Sequence, residues 1–145
     1  MMTSHKDTLF DPSRMKELNS TDVGTVGEYF VASVLGGYGL EVTKADASGY
    51  DLLIIEEGKP IRVDVKTMAS DKGHRHWAIA KGKTGSFRDY DADGCDIFAL
   101  VCLEDQSLAF EKCENYEGKR HIYLNADKHK ETDPYQSWKK AIKRV

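Results

Sequence analysis

The sequence contains little cysteine, and its cysteines are poorly placed for cross-linking or for binding zinc. Cys95, Cys102 and Cys113 are an odd count, and no two of them have the spacing of metal ligands. This pattern argues against a disulfide framework and against a zinc site. We therefore expect three reduced thiols in a cytoplasmic protein.

Long apolar runs are also missing. No run approaches the length of a membrane span, and the first ten residues, MMTSHKDTLF, lack the apolar core of a signal peptide. Internal repeats and low-complexity segments are absent as well. We therefore expect a protein without a membrane partner.

An excess of positive charge is the third feature that the sequence lacks. The 145 residues carry a formal net charge of -3, which argues against a protein that simply coats DNA. It does not exclude a nuclease, because net charge hides local patches. With 40% hydrophobic and 31% charged residues, the chain has the composition of one ordered domain with a core.

The spacing of apolar residues predicts an α/β domain over 21–125, with a peripheral segment, 1–20, before it and a basic helix, 126–145, packed on it. A helix is expected to begin at Ser20-Thr21-Asp22 and to stop at Gly36-Gly37. The apolar run CDIFALVCL is typical of a strand buried on both faces. Further strands are expected near 40–44, 76–81, 108–111 and 121–124, with turns near 45–49 and 82–85. A turn of helix is expected near 12–18, and a last helix is expected to begin at Asp133-Pro134 and to end near Val145.

The stretch from Gly49 to Lys66, GYDLLIIEEGKPIRVDVK, predicts a β-hairpin with acids at both ends. Its turn is expected over Glu57-Gly58-Lys59-Pro60. Alternation with period two places Asp64 and Lys66 on one face of the second strand. Asp51, at the start of the first strand, is then expected beside Asp64 across the pair.

Two carboxylates and a lysine at this spacing suit magnesium-dependent phosphoryl transfer. Mg²⁺ prefers oxygen ligands, here Asp51, Asp64 and the main-chain carbonyl of Val65. Lys66 is placed to orient the attacking water or to stabilise the transition state. Glu28 is expected to reach in from the first helix, either as a further metal ligand or as an acid that supports the ligands.

A basic segment follows the hairpin directly. Residues 72–88 include five basic residues and no acid, and aromatic residues are interleaved with the basic ones. Such a segment on an acidic chain predicts a phosphate-binding surface. The candidate nucleic-acid contacts are Lys72, Arg75, His76, Lys81, Lys83 and Arg88.

The segments GEYFVASVLGGYGLEV and ASGYDLLIIEEGKPIRVDVKT resemble the PD-(D/E)XK nuclease superfamily, in particular its small resolvase-like and homing-endonuclease-like branch. In this pattern the first acid falls on Asp51, with Tyr50 in place of the usual proline. The acid–x–lysine falls on Asp64-Val65-Lys66, and the helical glutamate falls on Glu28. The match spans roughly residues 21–112.

The resemblance implies an αβββαβ core of restriction-endonuclease type, with a central mixed sheet flanked by helices. It implies a DNA endonuclease that hydrolyses phosphodiester bonds with a metal-activated water, using Mg²⁺ or Mn²⁺. The catalytic residues would be Asp51, Asp64, Lys66 and Glu28. A homodimer is expected for double-strand cleavage, and RNA stays open as a substrate.

Two alternatives compete with this hypothesis. The first is a catalytically inactive nucleic-acid-binding or assembly module on the same fold. The second is an unrelated α/β protein whose acidic hairpin is a salt-bridged surface. In that second case the side chains of Asp51 and Asp64 would point apart.

Overall fold

The helices and strands of the protein are defined in a computed structural model that describes residues 10–47, 49–70, 74–80 and 94–143. Its helices are α1 (Pro12–Met15), α2 (Ser20–Gly37), a 3-10 helix (Cys113–Tyr116), α3 (Ala126–Glu131) and α4 (Pro134–Ala141). Its strands are β1 (Glu41–Ala47), β2 (Tyr50–Glu56), β3 (Lys59–Met68), β4 (Arg75–Ala78), β5 (Ile97–Cys102), β6 (Ser107–Lys112) and β7 (His121–Leu124). Among the helices described, none has the length and apolar character needed to cross a membrane.

Five strands form a central sheet in the order β1-β2-β3-β5-β6. All neighbours are antiparallel except β3 and β5, which run parallel, so the sheet is mixed. The expected fold class, an α/β fold with a central mixed sheet flanked by helices, is confirmed. Strands β4 and β7 form a separate two-stranded antiparallel sheet, which we call the ribbon.

Each face of the central sheet is covered by a different layer. On the helix face, Leu52 and Val63 are buried in one core with Val31 of α2 and Trp138 of α4. On the ribbon face, Phe98 and Leu100 of β5 are buried with Trp77 of β4 and Ile122 of β7. Strand β5 is buried on both faces, as its apolar run predicted.

The hairpin turn between β2 and β3 is tighter than the sequence indicated. Only Glu57 and Gly58 form it, with φ values of 50° and 79°. Positive φ at both central residues is the type I′ geometry, whose twist matches that of the flanking strands. Lys59 and Pro60 therefore belong to β3, and this register sets which residues face each other further along the hairpin.

Several predicted boundaries differ from the structure because capping side chains decide where helices begin. Asn19, and not Ser20, caps α2 by accepting a 2.8 Å hydrogen bond from the N–H of Asp22. The expected basic helix over 126–145 is two helices, since Asp133 and Pro134 start a new one. Strand β1 continues to Ala47 where a loop was expected. The predicted turn near 82–85 and Val145 lie outside the described residues.

The three cysteines are free and buried. The sulfur atoms of Cys95 and Cys113 lie 2.8 Å apart on the ribbon side of β5.

Candidate active site

The candidate site forms where β2 separates from β3. Their paired register runs from Glu56 opposite Lys59 to Leu52 opposite Val63, and the next residues are Asp51 and Asp64. There the carboxylate of Asp51 accepts a 2.8 Å hydrogen bond from the backbone N–H of Val65. A side chain thus satisfies a strand N–H at the point where the ladder ends.

Asp64 and Lys66 lie beside each other on β3, as the alternation predicted. The ammonium nitrogen of Lys66 is 3.3 Å from a carboxylate oxygen of Asp64, and both side chains are mostly buried. Asp51 and Asp64 also share a side-chain hydrogen bond, so the two carboxyl groups meet instead of pointing apart. The salt-bridged-surface alternative is therefore wrong in its one structural prediction.

The environment of Asp64 is unusual for a carboxylate. Burial raises the pKa of the Asp64 carboxyl to about 7, the charge of Lys66 opposes that rise, and the hydrogen bond and charge of Asp51 add to it. Where two adjacent carboxyls share one proton, a divalent cation can replace that proton and bind both carboxylates. Perturbed carboxyls of this kind are concentrated at functional sites.

The site lies on the ribbon face of the sheet. In the parallel register of β3 and β5, Asp64 is opposite Phe98 and Lys66 is opposite Leu100. Phe98 and Leu100 are buried beneath the ribbon. Paired residues of neighbouring strands point to the same face, so the acidic site and the ribbon are neighbours.

Strand β3 is held behind the site by a close helix contact. A Cβ atom on Gly27 of α2 would lie 1.8 Å from the hydroxyl oxygen and 2.8 Å from the Cβ of Thr67, the residue after Lys66. Only a glycine lets the helix backbone approach this closely. Within the described part of the chain, the buried Thr67 hydroxyl has no hydrogen-bond partner.

Glu28 is not brought to the two aspartates. Its carboxylate forms an ion pair of 3.2 Å with Lys44 of β1, and Lys44 is paired in register with Leu52, a residue of the helix face. Over the residues that the structure describes, no three His, Cys, Asp or Glu side chains are grouped to hold a metal ion. This geometry does not group Glu28 with Asp51 and Asp64 as a metal ligand, and its role as an auxiliary acid stays a prediction.

The predicted nucleic-acid contacts have different outcomes. His76 is exposed on β4, as a contact residue should be. Arg75 is only 1% exposed, and its guanidinium is bound by Asp105 and by Nδ1 of His129, so it does not present its charge to a phosphate. Arg75 is thus a buried structural cation. The other four candidates, Lys72, Lys81, Lys83 and Arg88, lie outside the described residues.

Sequence reasoning missed a second contact that fixes the site. The guanidinium of Arg62 and the carboxylate of Asp96 form a two-point fork, with nitrogen–oxygen distances of 3.1 and 3.0 Å. The backbone N–H of Arg62 also donates to Asp96 at 2.9 Å. The fork ties β3 to the start of β5, two residues before Asp64. The partners are 34 residues apart, and neither residue carries a local signal of the pairing.

Comparisons with known proteins establish the class of fold. No protein-family model and no curated protein matches the sequence. Among solved structures, the chain is similar in fold to a nuclease. That structure is the bacterial homing endonuclease I-Ssp6803I, with a TM-score of 0.67, 18% sequence identity, and coverage of 80% of this chain and 85% of that one.

Proposed function

We propose that this protein is a DNA endonuclease of the PD-(D/E)XK superfamily that requires Mg²⁺ or Mn²⁺. The observation that carries the proposal is the meeting of Asp51 on β2 with Asp64 on β3, beside Lys66. A surface ion pair would not need a second carboxylate held against the first. The likeness in fold to a homing endonuclease supports the same class of reaction.

The donor set fits a magnesium ion. Mg²⁺ is commonly held by one or two carboxylates, with water and substrate phosphate in the other positions, so Asp51 and Asp64 suffice without Glu28. The main-chain carbonyl of Val65 remains a proposed third ligand. When bound, the cation neutralises charge on the phosphate and lowers the pKa of water.

Each side chain then has a definite task. Asp51 and Asp64 are the carboxylates that would bind the cation at the open end of the hairpin. Without a cation, the raised pKa of Asp64 favours a proton there. Lys66, 3.3 Å from Asp64, carries a donor that can bind a non-bridging phosphate oxygen or orient the attacking water. The Asp51 hydrogen bond to Val65 fixes the main chain between the two catalytic residues of β3.

DNA is the proposed substrate because the structure with the similar fold is that of a homing endonuclease. A homodimer is proposed for cutting both strands, since one such site would cut one phosphodiester bond. RNA offers the same phosphates and is tested alongside.

The test is cleavage of supercoiled, linear and branched DNA, with RNA as a further substrate, by the full chain with Mg²⁺, with Mn²⁺ and with a chelator. Asp64→Ala and Lys66→Ala are each expected to reduce nicking by about 100-fold or more. Lys59→Ala, an exposed lysine at the other end of β3, is the matched control and should nick normally.

The proposal fails if the wild type is inert on all three DNAs with either metal. Binding without cleavage would support the inactive nucleic-acid-binding module in its place. Nicking that survives both Asp64→Ala and Lys66→Ala would show that the activity resides elsewhere or in a contaminant.

A further inference from the structure

The ribbon has one anchored face and one open face. Trp77 and Ile122 point inward and are buried, and the indole N–H of Trp77 donates to the carbonyl of Val101 at 3.2 Å. The alternate residues, His76 on β4 and Tyr123 on β7, are exposed. The ribbon is therefore anchored by its inner residues and exposes His76 and Tyr123 on its outer face.

Aromatic rings cover this outer face. His76 and Tyr123 are cross-strand partners whose rings stack at 5.7 Å, and His74 stacks on His76 at 5.2 Å. The ring of His121 lies 5.8 Å from Tyr123 and 6.0 Å from His76. Tyr123 is 66% exposed, the most exposed of the large hydrophobic residues described. We call His74, His76, His121 and Tyr123 the ring patch.

The chemistry of the ring patch suits base edges. Imidazole nitrogens and the tyrosine hydroxyl both donate and accept hydrogen bonds, and their ring faces are apolar enough to contact a thymine methyl group. Strands β4 and β7 carry no carboxylate, although acids outnumber bases in the whole chain by 24 to 21. Two strands without an acid suit approach to a polyanion. In the described residues, no three-ligand metal group includes these histidines.

The position of the ribbon relates the ring patch to the candidate active site. Phe98 and Leu100, which the ribbon covers, are the register partners of Asp64 and Lys66. Stacked sheets are separated by about 10 Å, so the backbone of the ribbon lies roughly that far above the strand that carries Asp64, and the ring patch lies on its far side. The major groove of B-DNA is about 12 Å wide and 8.5 Å deep, and it admits a two-stranded β-ribbon.

We propose that the ribbon enters the DNA major groove next to the scissile phosphate, and that His76, His121 and Tyr123 read the base edges there. This inference rests on the proposed function and gives it a source of sequence preference. It also changes the task of His76 from contact with the backbone to contact with bases. Duplex RNA is excluded as a partner for this surface, because its major groove is too narrow for a ribbon.

The experiment selects bound sequences from a duplex DNA library with a randomised central segment. The full chain is used with Ca²⁺ in place of Mg²⁺, so that binding is scored apart from cleavage, and the bound fraction is sequenced. The triple variant His76→Ala, His121→Ala, Tyr123→Ala is compared with wild type. Tyr29→Ala is the matched control, because Tyr29 is 60% exposed on α2, across the sheet from the ribbon.

Wild type and Tyr29→Ala are expected to enrich one common sequence motif. The triple variant should lose that enrichment by about tenfold or more, while it keeps salt-sensitive binding to DNA of any sequence. Tyr123→Phe removes one hydroxyl from an exposed ring and should change preference at only one or two positions. This single variant gives the answer if the triple variant does not fold.

Three results would overturn the inference: no motif for wild type, the same motif for wild type and the triple variant, or a change of oligomeric state in the triple variant. The last result would make the ring patch a contact between copies of the chain. If the triple variant cleaves the same sequences as wild type with Mg²⁺, this inference is wrong and the proposed function stands. If wild type enriches a motif that the triple variant loses, but cleaves no DNA, the inference stands and the proposed function is wrong.

Discussion

The carboxylate of Asp51 accepts a 2.8 Å hydrogen bond from the N–H of Val65, the residue between Asp64 and Lys66. Asp51 therefore has two tasks at once. It satisfies a main-chain donor where β2 leaves β3, and it sets the charge around Asp64. Substitutions at this position can separate the two tasks.

Asp51→Asn is expected to abolish nicking while the fold persists. An amide oxygen can still accept the N–H of Val65, but a neutral amide is a weaker ligand for a divalent cation. Asp51→Ala removes the acceptor as well and should lower the free energy of unfolding by about 1–2 kcal/mol. Urea unfolding and plasmid nicking of both variants check this, and equal stability of the two would contradict the structural task of Asp51.

The raised pKa of Asp64 predicts how stability depends on pH. A carboxyl with a pKa of about 7 in the folded protein and 3.8 when unperturbed binds more protons in the folded state between those values. Its contribution to stability is therefore complete below about pH 4 and is lost as pH rises through 7. In the proposed site Mg²⁺ would take the place of the proton, so the melting temperature should rise with Mg²⁺ more at pH 8 than at pH 6.

Asp64→Asn supplies the control for this pH effect. The variant cannot ionise at this position, so it should be more stable than wild type at pH 8 without metal and should lose the response to Mg²⁺. Thermal unfolding from pH 5 to pH 8, with and without Mg²⁺, gives both comparisons. A Mg²⁺ response in Asp64→Asn equal to that of wild type would place the metal elsewhere.

The hairpin could be predicted from sequence because its geometry is local. Strand alternation predicted the shared face of Asp64 and Lys66 and placed Asp51 beside Asp64. The turn itself was predicted over four residues, and the structure forms it with two. Glu28 could not be placed in the same way. Which residues a helix brings to a sheet depends on packing, and here the close contact is at Gly27 while Glu28 faces Lys44.

The error on Arg75 has a different physical cause. Its surroundings in sequence are basic and aromatic, which predicted a phosphate contact. Its actual partners, Asp105 and His129, are 30 and 54 residues away and make burial of the charge tolerable. No property of residues 72–88 alone contains that information.

His129 is expected to make the fold sensitive to acid. Its Nε2 lies 2.9 Å from the carbonyl of Leu100 and its Nδ1 lies 2.7 Å from Arg75, so the ring is neutral with its proton on Nε2. Burial lowers the pKa of His129 below its usual 6.5, and the hydrogen bond to Leu100 opposes that shift. The stabilising contribution is present above pH 6.5 and is lost as pH falls through the lowered folded pKa.

Unfolding by urea between pH 4.5 and pH 7.5 measures this effect. His129→Ala should cost about 2–4 kcal/mol at pH 7, because a buried guanidinium and a carbonyl lose a partner, and it should flatten the pH dependence below 6.5. The exposed His121 is the control, and His121→Ala should retain the wild-type pH dependence. An unchanged slope in His129→Ala would assign the acid sensitivity to other groups.

Gly27→Ala is expected to damage both stability and activity from behind the site. Its new methyl group would overlap Thr67, whose Cβ cannot rotate away, so α2 or β3 must shift, at about 1–3 kcal/mol. Because Thr67 follows Lys66, a shift of β3 should also slow nicking. Gly24→Ala, one turn earlier in α2 with no atom within 4 Å, should stabilise by up to about 1 kcal/mol through helix propensity. Urea unfolding and nicking assays of Gly27→Ala and Gly24→Ala measure both effects. If the two variants have the same stability and activity, the close contact between α2 and β3 does not position the site.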